Sequence, residues 1–226
     1  MKNILVTIFL LFFAVCNFAQ QLGQVTFAGG AKLSYFSFFT DQDVLIRVSE
    51  DGKVIEWGNE FQALYITNYY NLKLQPYMGR VEYYGQETDS AFRGKIKSIG
   101  TCVLTYYNHY ETATRVGKLR SIGSIILDYY DNYFTTTLQG KLRVIGNFQL
   151  EYYSSLDDIV YRDNLKSIGN TLITYHSSFD DRLIKGKIKS IGPIIYTWYT
   201  SFDLNRYGLK SGAYRTNING VTYILQ

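Results

Sequence analysis

Short blocks in which apolar residues alternate with basic or small polar ones, each closed by a glycine, run along more than half of this chain. Gly94-Lys95-Ile96-Lys97-Ser98-Ile99-Gly100 returns as Gly117-Lys118-Leu119-Arg120-Ser121-Ile122-Gly123, and again at residues 140, 163 and 186, each start 23 residues after the last. The aromatic doublets Tyr106-Tyr107, Tyr129-Tyr130, Tyr152-Tyr153, Tyr175-His176 and Trp198-Tyr199 keep the same step. A fixed period of this size marks a repeat architecture in which each unit is one supersecondary element. Period-two alternation predicts strands. Glycine followed by Thr101, Ser124, Asn147, Asn170 or Pro193 predicts a two-residue type II′ turn, because glycine alone takes the positive φ cheaply. Two strands of nine or ten residues and two short turns then fill the period, with the second reversal near Asp157-Asp158 and Asp180-Asp181.

Pairing across the tight turn sets Ile99 opposite Cys102 and Lys97 opposite Leu104. Strict alternation then puts Ile99, Leu104, Tyr106 and the stems of Lys95 and Lys97 on one face. Ile96, Ser98, Val103, Thr105 and Tyr107 fall on the other. Both faces are half apolar, which predicts a thin antiparallel sheet wetted on both sides. The fold class expected is all-β: a meander of 23-residue hairpin repeats forming an extended, largely single-layer twisted sheet. A parallel β-helix would stack Lys97, Arg120, Arg143, Lys166 and Lys189 about 4.8 Å apart, where like charges repel. A leucine-rich solenoid shares the period but lacks an Asn ladder. A small outer-membrane β-barrel is the alternative, although Asp128 and Glu151 on one face and paired cations on the other leave no clean lipid face.

The ends of the chain read differently. Lys2 followed by the apolar run from Ile4 to Val15, with Ala19 as cleavage residue, is the layout of a secretory signal peptide. Residues 1–19 are therefore assigned to export, to the periplasm, cell surface or extracellular space. A lipoprotein modified at Cys16 is the competing route, disfavoured by the bulky Val15 before it. Residues 20–93 read as an irregular N-terminal β-region, with Glu50-Asp51-Gly52 turning Val44–Ser49 back on Lys53–Trp57. Residues 94–208 hold the five repeats, and 209–226 are expected to cap them. No later stretch is long and apolar enough for a helical transmembrane anchor.

Composition adds to this mainly through its aromatics. Of 226 residues, 22 are Tyr and 14 Phe, with only two prolines. Such a chain is not disordered, and rings that are apolar in body and polar at the tip suit a half-buried pleated surface. The net charge of +4 is too small to argue for nucleic acid. After export only Cys102 is left, so no internal disulfide is expected.

Asp128-Tyr129-Tyr130-Asp131 followed by Gly140-Lys141-Leu142-Arg143 resembles the tyrosine-aspartate repeats of Rhs-type secreted proteins. The Tyr/Gly/Lys hairpins are similar to MORN repeats, over roughly residues 94–208. The Tyr-Asp step survives only at Tyr130-Asp131, and the Tyr-x-Gly-x-Trp motif of MORN repeats is missing. The resemblance implies β-hairpin architecture and extracellular or scaffold roles, and a separate family of secreted bacterial repeat proteins is the equal alternative. It brings no catalytic residues.

Little in the sequence bears chemistry. His109 and His176 stand at different repeat positions and form no column. Cys102 is read as a small hydrophobe. Asp157, Asp158 and Asp163 lack the glycine and closing glutamate of a calcium loop and are read as turn acids. No nucleophile or acid–base constellation appears, so no enzyme activity, cofactor or metal is expected. The candidate binding platform is the column Tyr106, Tyr129, Tyr152, Tyr175 and Trp198 beside Lys97, Arg120 and Arg143, with cross-strand packing as its structural reading. The function expected is binding or scaffolding in the cell envelope, with a surface polysaccharide or another envelope protein as partner and no nucleic acid.

Overall fold

The computed structural model describes residues 21–60, 73–86 and 88–226; the signal segment 1–19 and Cys16 lie outside them. The described residues are all-β, without a helix, so none holds a helix long and apolar enough to cross a membrane. The chain begins with a meander of four strands, β1 (Gln21–Ala28), β2 (Lys32–Phe39), β3 (Val44–Val48) and β4 (Val54–Asn59). The repeat region supplies β5 (Val81–Tyr83), β6 (Ile96–Ile99), β7 (Cys102–Tyr106), β8 (Leu119–Ile122), β9 (Ile125–Tyr129) and β10 (Leu142–Ile145). It continues through β11 (Phe148–Tyr152), β12 (Leu165–Ile168), β13 (Thr171–Tyr175), β14 (Ile188–Ile191) and β15 (Ile194–Ile195). These form one 11-stranded antiparallel sheet in sequence order, open at β15 and β5 and not closed into a barrel. A short pair follows, β16 (Thr197–Trp198) with β17 (Leu209–Ser211), and the chain ends in β18 (Arg215–Ile218) and β19 (Val221–Leu225).

Gly100, Gly123, Gly146, Gly169 and Gly192 take φ between 52° and 57°, and the residue after each keeps a negative φ, as a type II′ turn requires. The pairs Ile99↔Cys102 and Ile122↔Ile125 stand where the tight turn places them. The strands, however, are four and five residues long rather than nine or ten. A loop of two successive turns takes up the rest of each period.

Strict alternation also fails, in the same way in every repeat. Thr105 pairs Ser121 but Tyr106 pairs Leu119, so Arg120 is an extra residue, the mark of a β-bulge. Lys97, Arg143, Lys166, Lys189 and Lys210 occupy the same bulge in the other units. The bulge brings Ile96 to the inner face together with Ile99, and turns Lys97 outward, which corrects the face assignment made from alternation.

That inner face is not wet. Val25, Phe27, Phe36, Phe38, Val44, Ile46 and Val48 share one side of the first meander, and they form one core with Leu104, Leu119, Ile122, Leu127, Tyr129 and their repeat equivalents. The molecule is thus a sandwich of two sheets, and the expected wetting of both faces is corrected by this cover. Corners of the first sheet join the array directly: Leu142 N donates to Glu50 O (2.8 Å) and Ile188 N to Gly30 O (2.8 Å).

Residues 209–226, expected to cap the array, divide between the two sheets. β17 continues the array through Trp198↔Leu209, while β19 pairs in parallel with β1 (Gln24↔Thr222, Phe27↔Leu225) and β18 closes the outside of that sheet. An otherwise open strand edge is covered in this way. The array also starts before residue 94. Tyr83-Tyr84 stands one period ahead of Tyr106-Tyr107, and β5 is the second strand of a truncated unit.

One repeat carries a visible misfit. Gly94, Gly117, Gly140 and Gly186 have φ of 71–79°, and Asp163 holds the same corner at 63° with its Oδ1 buried and unpaired. A side chain in this region costs roughly 1–2 kcal/mol, partly offset by the greater freedom of glycine in the unfolded chain. Asp163→Gly is therefore expected to stabilise the fold by about 0.5–1 kcal/mol in chemical unfolding. The Lys141 Nζ bond to the residue 163 carbonyl (2.8 Å) survives the change.

Candidate functional site: an inner column that holds the fold and an outer row of loop tips

Tyr129, Tyr152, Tyr175 and Trp198 are buried, and Tyr106 is half-buried. Each of the four buried rings donates to a carbonyl ten residues upstream: Tyr129 to Leu119 (2.6 Å), Tyr152 to Leu142 (3.1 Å), Tyr175 to Leu165 (2.9 Å) and Trp198 to Ile188 (2.7 Å). Each hairpin pairs over only two residue couples next to its turn, and these ring donors reach carbonyls beyond that short ladder. Desolvation pushes the Tyr129, Tyr152 and Tyr175 phenols far above the ordinary range, so they stay neutral donors. The column predicted as a binding platform is core.

A second tyrosine column joins one repeat to the next. Tyr84 Oη donates to Leu104 O (2.9 Å), Tyr107 to Leu127 O (2.9 Å), Tyr130 to Leu150 O (2.7 Å) and Tyr153 to Ile173 O (2.9 Å). A third ladder runs through Lys95, Lys118 and Lys141, whose Nζ donate to the carbonyls of Gly117, Gly140 and Asp163. Each of these ammonium groups also lies 4.7–5.2 Å from the centre of an inner-column ring.

The basic members of the predicted platform lie elsewhere. Lys97 is exposed beside Glu82 (3.7 Å), Arg120 lies over Tyr107 (5.8 Å), and Arg143 binds Asp128 (2.6 Å), all on the outer face. Rings and cations read as one site are separated by the thickness of the sheet, because the bulge reverses the cations. Cys102 is buried, and burial pushes its thiol up to about 11, away from a reactive thiolate. His109 Nδ1 meets Asp89 Oδ2 at 2.5 Å.

His176 occupies the second tyrosine column without a hydroxyl to reach the next repeat. Its Nδ1 lies 3.5 Å from Asp180, at the outer limit of hydrogen bonding, and its side chain is largely buried. Burial lowers its pKa below 6.5, with Lys189 adding to this and Asp180 opposing it. The neutral form is the one the fold prefers, so the stability His176 contributes is complete above pH 6.5 and is lost as pH falls through the lowered value. We expect His176→Tyr to remove that part of the acid sensitivity, measured as unfolding free energy between pH 7 and pH 5.

The feature that packing does not explain is at the loop tips. Tyr110, Tyr133, Leu156, Phe179 and Phe202 stand at one repeat position and are 84, 95, 95, 97 and 88% exposed. Each is the third residue of a β-turn closed by a backbone bond, such as Glu111 N to Asn108 O and Asp180 N to Ser177 O. Side chains tighten these turns: Asn108 and Asp131 accept from the tip amides of Tyr110 and Tyr133 (3.0 Å each). Asp157, Asp180 and Asp203 accept from the amides and hydroxyls of Ser154, Ser177 and Thr200. The Thr200 amide and its neighbours hold the Asp203 carboxyl down to about 2.

Adjacent loops are also tied together. Asp158 accepts from Ser178 N and Oγ (2.8 Å each), and Asp181 from Ser201 N and Oγ. With two strands per repeat, neighbouring tips are about 10 Å apart, and the row runs roughly 40 Å along one edge of the sheet. Sequence reasoning centred on strands passes over this row, although a large apolar residue at every 23rd position of a polar stretch marks it.

The fold and this edge define an all-β hairpin-repeat protein with a buried aromatic spine and an exposed apolar rim. No family model, curated protein or solved structure matches the chain.

Proposed function

We propose that this is a non-catalytic binding protein of the cell envelope or extracellular space that engages a surface polysaccharide through its loop-tip row. The observation that carries the reading is the near-complete exposure of five large apolar side chains at one repeat position. Single exposed apolar residues are ordinary, but five in register along one edge are not scattered, and apolar surface concentrated in one place marks an interaction site. A row with a period of about 10 Å suits an extended polymer that itself repeats, since every unit can meet an equivalent tip. Four of the five tips are aromatic, offering flat faces to the C–H faces of sugar rings, and the turns between them are rich in carboxyl and hydroxyl groups. In the loop segments acidic residues outnumber basic ones, which favours a hydroxylated ligand over an anionic lipid surface.

The test compares wild type with Tyr133→Ser/Phe179→Ser/Phe202→Ser on a glycan array and in co-sedimentation with insoluble polysaccharides. At about 1–2 kcal/mol per anchoring ring, the triple variant is expected to bind roughly 100-fold more weakly or worse. Its thermal unfolding is expected to stay close to wild type, because exposed substitutions cost within about 0.5 kcal/mol each. Equal retention of the triple variant overturns the reading. So does binding to liposomes with none to glycans.

A further inference from the structure

A cavity of about 490 Å³ lies between the β3–β4 turn of the first sheet and the corners at Gly94-Lys95 and Gly117-Lys118. Its size falls in the range of small-molecule sites. It exists because the Asp51-Gly52 turn covers one repeat and not the one before it. Over Tyr129 the turn sits so close that a side chain on Gly52 would start 2.0 Å from the phenol oxygen. One repeat earlier, Tyr106 is half-buried, makes no bond to a carbonyl ten residues upstream, and lines the cavity with Val54, Ile96 and Val116.

The charged side chains that line it are mostly cationic, with Lys95 and Lys118 anchored one repeat apart on the carbonyls of Gly117 and Gly140. Lys53, Lys95 and Lys118 line the space, and Asp51 is the carboxylate among the lining residues, already paired with Lys53 at 2.7 Å. Among the described residues, neither Lys95 nor Lys118 has a carboxylate within ion-pair distance, whereas Lys141 of the next repeat is paired with Glu50 at 3.2 Å. Each of the two spends one proton on a glycine carbonyl and keeps others to donate. Burial lowers the pKa of both ammonium groups, a cost that an anion in the cavity would relieve.

We propose that this cavity binds a small organic anion, its carboxylate, sulfonate or phosphate head held by Lys95 and its flat apolar body lying against Tyr106 and Val116. The site is separate from the loop-tip row and does not depend on it. Benzoate, benzenesulfonate and phenyl phosphate serve as probes, with benzyl alcohol as the neutral control, and binding is read as amide NMR shifts at residues 94–96 and 117–118.

The expected result is saturable shifts with the anions and none with benzyl alcohol. Lys95→Gln is expected to weaken binding about tenfold or more. Val116→Phe, which fills the space and leaves both charges in place, is expected to block it. The loop-tip triple variant is expected to bind the probes as wild type does, which separates failure here from failure of the polysaccharide reading. The proposal is overturned if no anion shifts these amides at millimolar concentration, if benzyl alcohol binds equally well, or if both cavity variants bind like wild type.

Discussion

Tyr129→Ala is expected to destabilise the protein by about 3–5 kcal/mol, the range for truncating a large buried ring. Tyr129 is fully buried, its hydroxyl donates to Leu119 O at 2.6 Å, and its ring lies edge-on to Tyr107 at 6.1 Å between centres. Truncation removes the ring contacts to the first sheet and leaves a buried carbonyl without its donor. Tyr129→Phe isolates the second effect and is expected to cost about 1–3 kcal/mol. Tyr133→Ala, four residues along and 95% exposed, is expected to move stability by less than about 0.5 kcal/mol. Denaturant unfolding of the three variants checks the contrast between two tyrosines that composition alone does not distinguish.

The second large effect is expected at Gly52. Its φ of 81° is one that L side chains rarely adopt, and a Cβ there would lie 2.0 Å from Tyr129 Oη and 2.6 Å from its ring carbons. Backbone strain of about 1–3 kcal/mol adds to an overpacking cost of similar size. Gly52→Ala is therefore expected to cost roughly 2–4 kcal/mol. The overpacking part belongs to the Gly52–Tyr129 contact, so it disappears once the ring is small. In a double-mutant cycle with Tyr129→Leu, the combined loss is expected to fall short of the sum by about 1–2 kcal/mol. Strict additivity would mean that the turn does not rest on this ring.

Much of the array was legible in the sequence. The period, the II′ turns and the hairpin register follow from glycine and from alternation, which are local. The inward direction of the first aromatic of each doublet also follows, since Tyr106 shares a face with Leu104 and Ile99. What covers that face did not follow. Val25, Phe36 and Ile46 lie far from the repeats in sequence, and nothing periodic links them to Tyr129 or Leu150. The bulges were hidden for a different reason. Ile96-Lys97-Ser98-Ile99 breaks alternation by one residue, and only the strand partner shows that Lys97 is the extra one.

The candidate platform failed for a related reason. A tyrosine beside a lysine suits an exposed stacking surface as well as a buried ring under a lysine stem. The choice between them rests on the missing cover. Asp163 reads as an ordinary turn acid until its φ places it among glycines. The loop tips carried the clearest signal of all, a column in perfect register, but strand logic treats a polar loop as spacer and passes over the one large apolar residue in it.

The aromatics divide into two sets: one column is buried between the two sheets, and a different row at the loop tips faces outward. Hydroxyl-radical footprinting of the folded protein, read residue by residue by mass spectrometry, tests this division most directly. The predicted result is rapid oxidation at Tyr110, Tyr133, Phe179 and Phe202 and protection at Tyr129, Tyr152, Tyr175 and Trp198. Oxidation of the second group at the rate of the first would contradict it.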